Sequence, residues 1–184
     1  MQTEDLGQLI YGMAQKAQVA STSLMAISSE KKDKALLNVA ELLLEHKKNI
    51  QLENQKDLKA GKEKGLSKAM LDRLELSDAV IESMVHGLKE VVALPDPVGE
   101  VTEMMKRPNE LVVGRMRVPL GVIGMIYESR PNVTVDAAAL CLKTGNAIIL
   151  RGGSEAIHSN IALAEILRKA LEQENLPADS IQVI

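Results

Sequence analysis

Between Gly121 and Ile184 three short apolar runs alternate with two stretches of helical periodicity, and this alternation limits the possible folds more than any other feature. The runs are Gly121-Val122-Ile123-Gly124-Met125-Ile126, Ala147-Ile148-Ile149-Leu150 and Ile181-Gln182-Val183-Ile184. Each is short and bounded by turn residues, as strands buried on both faces of a parallel sheet are. After the first run Val133, Ala137 and Leu140 share a helical face, Lys143 falls in the last turn and Gly145 stands just past the end. After the second, Ser154 is placed to cap a longer helix with Ile157, Ile161, Ala164, Leu167 and Leu171 on one stripe, ended by Asn175 and Pro177. Strand, helix, strand, helix, strand predicts an α/β unit with right-handed crossovers and a parallel sheet. The pattern halts on a strand with a bare outer edge, where a doubly wound domain ordinarily continues. The sheet is therefore expected to be incomplete at the carboxyl end, and the chain to be a fragment.

Upstream the period differs. Leu6, Leu9, Ile10, Met13 and Ala17 fall on one helical face, and Leu36, Leu37, Ala40, Leu43 and Leu44 on another. Ser67 and Ser77 precede apolar-periodic runs as caps do, and Gly61 and Gly65 flank a break between helices. Lys31, Lys32, Lys47 and Lys48 alternate with Glu30, Asp33 and Glu45, which reads as a solvated helix face. Leu94-Pro95-Asp96-Pro97 ends the helical pattern, because two prolines in three residues stop a helix and favour extended chain. Apparent strands at Gly99–Met105 and Leu111–Val118 then flank a turn at Arg107-Pro108-Asn109. The expected organisation is a helical region over residues 1–97 and an α/β domain over residues 98–184 with an edge hairpin at about 99–118.

Composition narrows the partners. A formal charge of -3 with both signs interspersed offers no basic face for a phosphate backbone, so no nucleic-acid partner is expected. With two Tyr, no Phe and no Trp, stacking of bases or sugar rings is nearly excluded. One cysteine makes no internal disulfide, the first residues do not form a leader, and no stretch approaches membrane-spanning length. A reducing cytoplasm fits, with no membrane partner.

In an open α/β sheet ligands lie beyond the carboxyl ends of the strands, which directs attention to two loops. Both lead into helix amino termini, where unpaired N–H groups and the helix dipole favour negative charge. Tyr127-Glu128-Ser129-Arg130-Pro131-Asn132 places three hydrogen-bond donors, Ser129, Arg130 and Asn132, at a strand end. The Asn132 amide suits an oxyanion, but asparagine is equally a helix cap and Arg130 can simply pair with Glu128. In Arg151-Gly152-Gly153-Ser154-Glu155 the glycines allow close approach of a ligand, although a tight turn asks for glycine anyway. Cys141, flanked by Leu140 and Leu142 without a neighbouring base, reads as a buried inert thiol. His46, His86 and His158 have no metal-ligand spacing, so no metal is expected.

The stretch GVIGMIYESRPNVTVDAAALCLKTGNAIILRGGSEAIHSN, residues 121–160, closely resembles the γ-glutamyl phosphate reductases, or glutamate-5-semialdehyde dehydrogenases, of the aldehyde dehydrogenase superfamily. NQKDLKAGKEKGLSKAMLDRLEL (54–76) and RMRVPLGVIG (115–124) extend the resemblance over nearly the whole chain, and YESRPNVTVDA is more specific to this branch than the general aldehyde dehydrogenase pattern. The resemblance implies a partial Rossmann-like, NADP-binding domain of aldehyde dehydrogenase type. It implies NADPH-dependent reduction of L-glutamate 5-phosphate to glutamate 5-semialdehyde in proline biosynthesis, through a thioester on a cysteine thiolate, and a homo-oligomer at full length. By position Asn132 resembles the oxyanion asparagine, with Ser129 and Arg130 on the substrate side. Arg151 and Glu155 resemble the pair near the adenosine ribose, and Gly152, Gly153 and Ser154 complete the cofactor loop. Family chains are more than twice as long and carry the nucleophilic cysteine beyond the position of Ile184, so the 184 residues alone are expected to be inactive. The competing reading is a free-standing nucleotide-binding or interaction module without catalysis.

Overall fold

The computed structural model describes residues 3–184. Five helices come first: α1 (Thr3–Leu24), α2 (Ser29–Glu45), α3 (Lys47–Glu63), α4 (Lys68–Leu74) and α5 (Asp78–Ala93). Ser67 and Ser77 cap α4 and α5, their side chains accepting from the N–H groups of Met70 and Val80. Gly65 takes the left-handed conformation, φ 76°, that ends α3. An antiparallel hairpin follows, β1 (Val101–Lys106) with β2 (Val112–Met116), turning at Arg107–Glu110. Then come β3 (Val122–Ile126), α6 (Asn132–Lys143), β4 (Ala147–Arg151), α7 (Ile157–Gln173) and β5 (Ile181–Val183). These strands form a parallel sheet in the order β3-β4-β5, so the α/β unit expected from the alternating pattern is present.

Ala147 and Ile148 point to opposite faces of β4 and are both fully buried, so the sheet is covered on two sides. Helices α6 and α7 pack on one side, with α2, α3 and α5 against them; α1 crosses all three strands on the other. One hydrophobic core therefore joins residues on both sides of the Pro95–Pro97 break, Leu36, Val39 and Leu43 sharing it with Leu142, Ile148 and Leu167.

Several expectations are corrected. Among the described residues β3 pairs with β4 alone, and in these 184 residues Gly124 and Ile126 are exposed while the rest of the strand is partly buried. Leu140, assigned to the buried face of α6, is 51% exposed; α5, the sheet and α7 instead bury a broad arc of small residues including Val135, Ala138 and Ala139. Ile161 is likewise exposed on α7, as are Leu6, Leu9 and Ile10 on α1.

The lysine-rich face of α2 is not uniformly solvated. Lys32 is 1% exposed, pairs with Asp96 at 2.5 Å and donates to the Lys143 carbonyl at 3.1 Å. Lys143, also buried, reaches Asp33 at 2.6 Å and the Val92 carbonyl at 2.9 Å. Two buried ammonium groups thus tie α2 and α6 to the end of α5 and the proline segment. Each is matched by a carboxylate and a carbonyl, as buried charge requires.

Candidate functional site

The loops after β3 and β4 meet. Parallel pairing of Ile126 with Arg151 brings both strands to a common end, and Tyr127 N–H continues the ladder to the Arg151 carbonyl at 3.1 Å. Across this junction the Ser129 hydroxyl donates to the Glu155 carboxylate, and this bond is the main reason that carboxyl sits below its ordinary range. A second link is buried: the Tyr127 and Thr134 hydroxyls lie 2.6 Å apart, and Thr134 Oγ1 donates to Asn160 Oδ1 at 3.0 Å. The site's two halves are thereby fixed to one another by side chains from β3, α6 and α7.

Asn132 is the first residue of α6, after Pro131 at the cap position, and its side chain makes no capping bond. Its Nδ2 instead donates to Asp136 Oδ2, one turn on, at 3.2 Å. An amide nitrogen has two hydrogens, so one remains for a ligand. Burial raises the Asp136 carboxyl above the usual carboxylate range, partly offset by the Asn132 bond. Both residues line a cleft of about 310 Å³ whose other wall comes from α4 and α5, including Arg73, Val80, Ser83 and Met84. A larger hollow of about 930 Å³ between α1 and α7 contains none of the loop residues. Arg130 is exposed; its N–H donates to the Glu128 carbonyl at 2.8 Å. Arg115, Arg117 and Arg168 form ion pairs, whereas Arg73, Arg130 and Arg151 form none among the described residues.

The second loop is shaped by its own atoms. A Cβ at Gly152 would collide with the Asn160 amide and the Tyr127 ring, and one at Gly153 with the Glu155 carboxylate. Ser154 does not cap α7; it opens a single 3₁₀ turn, Ser154–Ala156, before the helix. The amino terminus of α7 is instead occupied by Asp57 of α3, which accepts from His158 N–H at 3.2 Å, Ser159 N–H at 2.8 Å and Ser159 Oγ at 2.6 Å. Asn54 locks this cap, donating to Ser159 Oγ at 3.0 Å and to the Leu74 carbonyl at 2.8 Å. The negative charge expected at this helix terminus is thus the protein's own carboxylate. Arg151, Ser154 and Glu155 form a polar edge whose donors and acceptors match a ribose in chemical type, whereas a pyrophosphate at the amino terminus of α7 would meet the Asp57 carboxylate.

Cys141 is buried, and desolvation pushes its thiol up to about 11. It lies in the last turn of α6, remote from Asn132 at the first. Among the described residues there is thus no thiol suited to nucleophilic attack. Asp57, Thr134, Asp136, Asn160 and Arg73 were not singled out by sequence reasoning; their partners lie on other elements, and helical spacing alone carries no signal for such pairs.

The family model of the aldehyde dehydrogenase family matches residues 8–184. The gamma-glutamyl phosphate reductase of Desulfotalea psychrophila is 65% identical over 179 residues, 97% of this chain and 43% of that protein. That of Halothermothrix orenii is 57% identical over 180 residues, with 98% and 43% covered. The crystal structure of the Thermotoga maritima gamma-glutamyl phosphate reductase superposes with a TM-score of 0.92 at 41% identity, over 95% of this chain and 42% of that one. The Saccharomyces cerevisiae enzyme gives 0.89 at 34% identity, over 94% and 45%. The chain spans about 43% of the length of the curated relatives it matches. It belongs to the aldehyde dehydrogenase family, and the relatives it resembles within that family are gamma-glutamyl phosphate reductases.

Proposed function

We propose that these 184 residues form part of an NADPH-dependent reductase that converts L-glutamate 5-phosphate to L-glutamate 5-semialdehyde and phosphate in proline biosynthesis, in the cytoplasm. The observation that carries the reading is the similarity to gamma-glutamyl phosphate reductases along nearly the whole chain. The site geometry supports particular roles within it. Asn132, held by Asp136 through one N–H, offers the other to the acyl oxygen as that oxygen gains charge. Arg130, exposed and without an ion pair, faces the dianionic phosphate. Ser129, tied to Glu155, keeps the substrate loop in register with the cofactor loop. Arg151, Ser154 and Glu155 hold the adenosine end of NADPH, while Gly152 and Gly153 let the turn close beneath it. The cofactor, when bound, supplies hydride. The nucleophilic thiolate comes from outside these residues, because Cys141 is buried and protonated at neutral pH.

A homo-oligomer belongs to the same proposal. The β1–β2 hairpin leaves Val101, Met104, Val112, Val113 and Met116 exposed, and an isolated two-stranded ribbon is only marginally stable in water. A second copy of the reductase is the cover proposed for it. To test the reaction, the full-length protein is assayed in reverse with glutamate 5-semialdehyde and NADP. NADPH formation is expected only when inorganic phosphate is added, since phosphate must attack the acyl intermediate. Equal rates with and without phosphate would identify a hydrolytic aldehyde dehydrogenase instead.

A further inference from the structure

The cleft that holds Asn132 has walls of opposite character that the reduction itself does not use. On one side Arg73, in the last turn of α4, brings a guanidinium with no ion pair among the described residues. On the other, Asp136 brings a carboxylate whose sole side-chain hydrogen bond among the described residues is from the neutral Asn132 amide. Ser83 adds a hydroxyl from α5, and Val80 and Met84 supply an apolar floor. Gly87, one turn further along α5, brings helix backbone alongside Asp136, so that a Cβ there would stand 4.0 Å from its carboxylate. A volume of about 310 Å³ is at the small end of ligand sites and suits a metabolite of amino-acid size.

We propose that this cleft recognises the α-amino acid head group of the substrate, Arg73 taking the α-carboxylate and Asp136 the α-ammonium. The proposal rests on the reductase reading above and deepens it by assigning specificity residues. The head group of such a substrate lies three bonds from the reacting acyl carbon, so the residue that meets the acyl oxygen must border the pocket that holds the head. Asn132 borders this cleft, one helical turn from Asp136. A planar guanidinium pairs with a carboxylate through two parallel hydrogen bonds, and an ammonium is met by a carboxylate in a partly desolvated wall. The raised carboxyl of Asp136 fits a group that lacks a cation in the free protein. Arg73 is the one cationic side chain in the lining, beside Asp72 and Glu75, so a ligand carboxylate has a single charged partner there.

The test compares three aldehydes on the full-length reductase: glutamate 5-semialdehyde, 4-aminobutanal, which lacks the carboxylate, and 5-oxopentanoate, which lacks the ammonium. Arg73→Ala should raise KM about tenfold or more for glutamate 5-semialdehyde and 5-oxopentanoate while leaving 4-aminobutanal within about twofold. Arg73→Lys should recover part of the loss, as a point charge without the fork does. Asp136→Asn, which keeps an acceptor for Asn132, should raise KM for glutamate 5-semialdehyde and 4-aminobutanal about tenfold more than for 5-oxopentanoate, whatever common loss in kcat the three share. Unfolding midpoints of the variants identify any that lose activity through misfolding; the test then passes from Arg73→Ala to Arg73→Lys, and from Asp136→Asn to Asp136→Ser. Equal loss on all three aldehydes, or no loss on any, overturns the head-group assignment while leaving the reductase reading intact. A wild-type protein that does not oxidise glutamate 5-semialdehyde at all overturns both.

Discussion

Asn132 stands at the first position of α6 with its amide turned toward Asp136 rather than back over the helix end. A side chain that caps nothing contributes little to helix stability, whereas a donor aimed at developing charge acts chiefly in the transition state. Asn132→Ala in the full-length reductase should therefore lower kcat by roughly a hundredfold to a thousandfold with KM nearly unchanged, the usual cost of one oxyanion donor. The unfolding midpoint should move little; a normal kcat with a lowered midpoint would return Asn132 to a structural role. At this scale the sequence was informative where chemistry is local. Asn132, Arg151 and Glu155 are legible as candidates because they follow strand ends, and the burial of Cys141 is legible because leucines flank it. Asp136 and Arg73 did not stand out, since a charged residue on a helix looks the same whether it faces solvent or a cleft.

Helix α7 depends on a partner from another element. Its first free N–H groups are met by the Asp57 carboxylate, about a hundred residues away in sequence and 2% exposed. Removing that carboxylate leaves the buried N–H and hydroxyl of Ser159, and the part-buried N–H of His158, without their acceptor. Asp57→Ala should cost roughly 2 kcal/mol of unfolding free energy, combining a lost cap with unsatisfied buried groups, as read by urea denaturation. A change below about 0.5 kcal/mol would mean that water replaces the carboxylate at no penalty. The elements themselves were largely legible: strand runs, serine caps at Ser67 and Ser77, and the glycine after α6 all announce themselves through local backbone chemistry. The ties between elements were not. Lys32 sits among lysines and acids that look solvated, yet Asp96 and the Lys143 carbonyl bury it. Ser154 has the composition of a cap but is displaced from that role by Asp57. Such pairings are decided by how helices cross, and periodicity within one helix does not encode the crossing.

At the scale of the molecule, the helical region and the parallel sheet are packed around one core, and the sheet holds its two ligand loops together through Ser129–Glu155 and Tyr127–Thr134–Asn160. The proposed division of labour follows from what those loops do and do not contain. They carry the proposed oxyanion donor Asn132 and the residues proposed to meet adenosine, while the one thiol among the 184 residues is buried and raised to about 11. The most direct measurement is the reverse reaction, glutamate 5-semialdehyde with NADP and phosphate, run side by side on the 184-residue chain and on the full-length reductase. Phosphate-dependent NADPH formation is predicted for the full-length protein and none above a no-protein control for the 184 residues, since the thiolate that forms the thioester is absent from them. Turnover by the 184-residue chain would contradict the account.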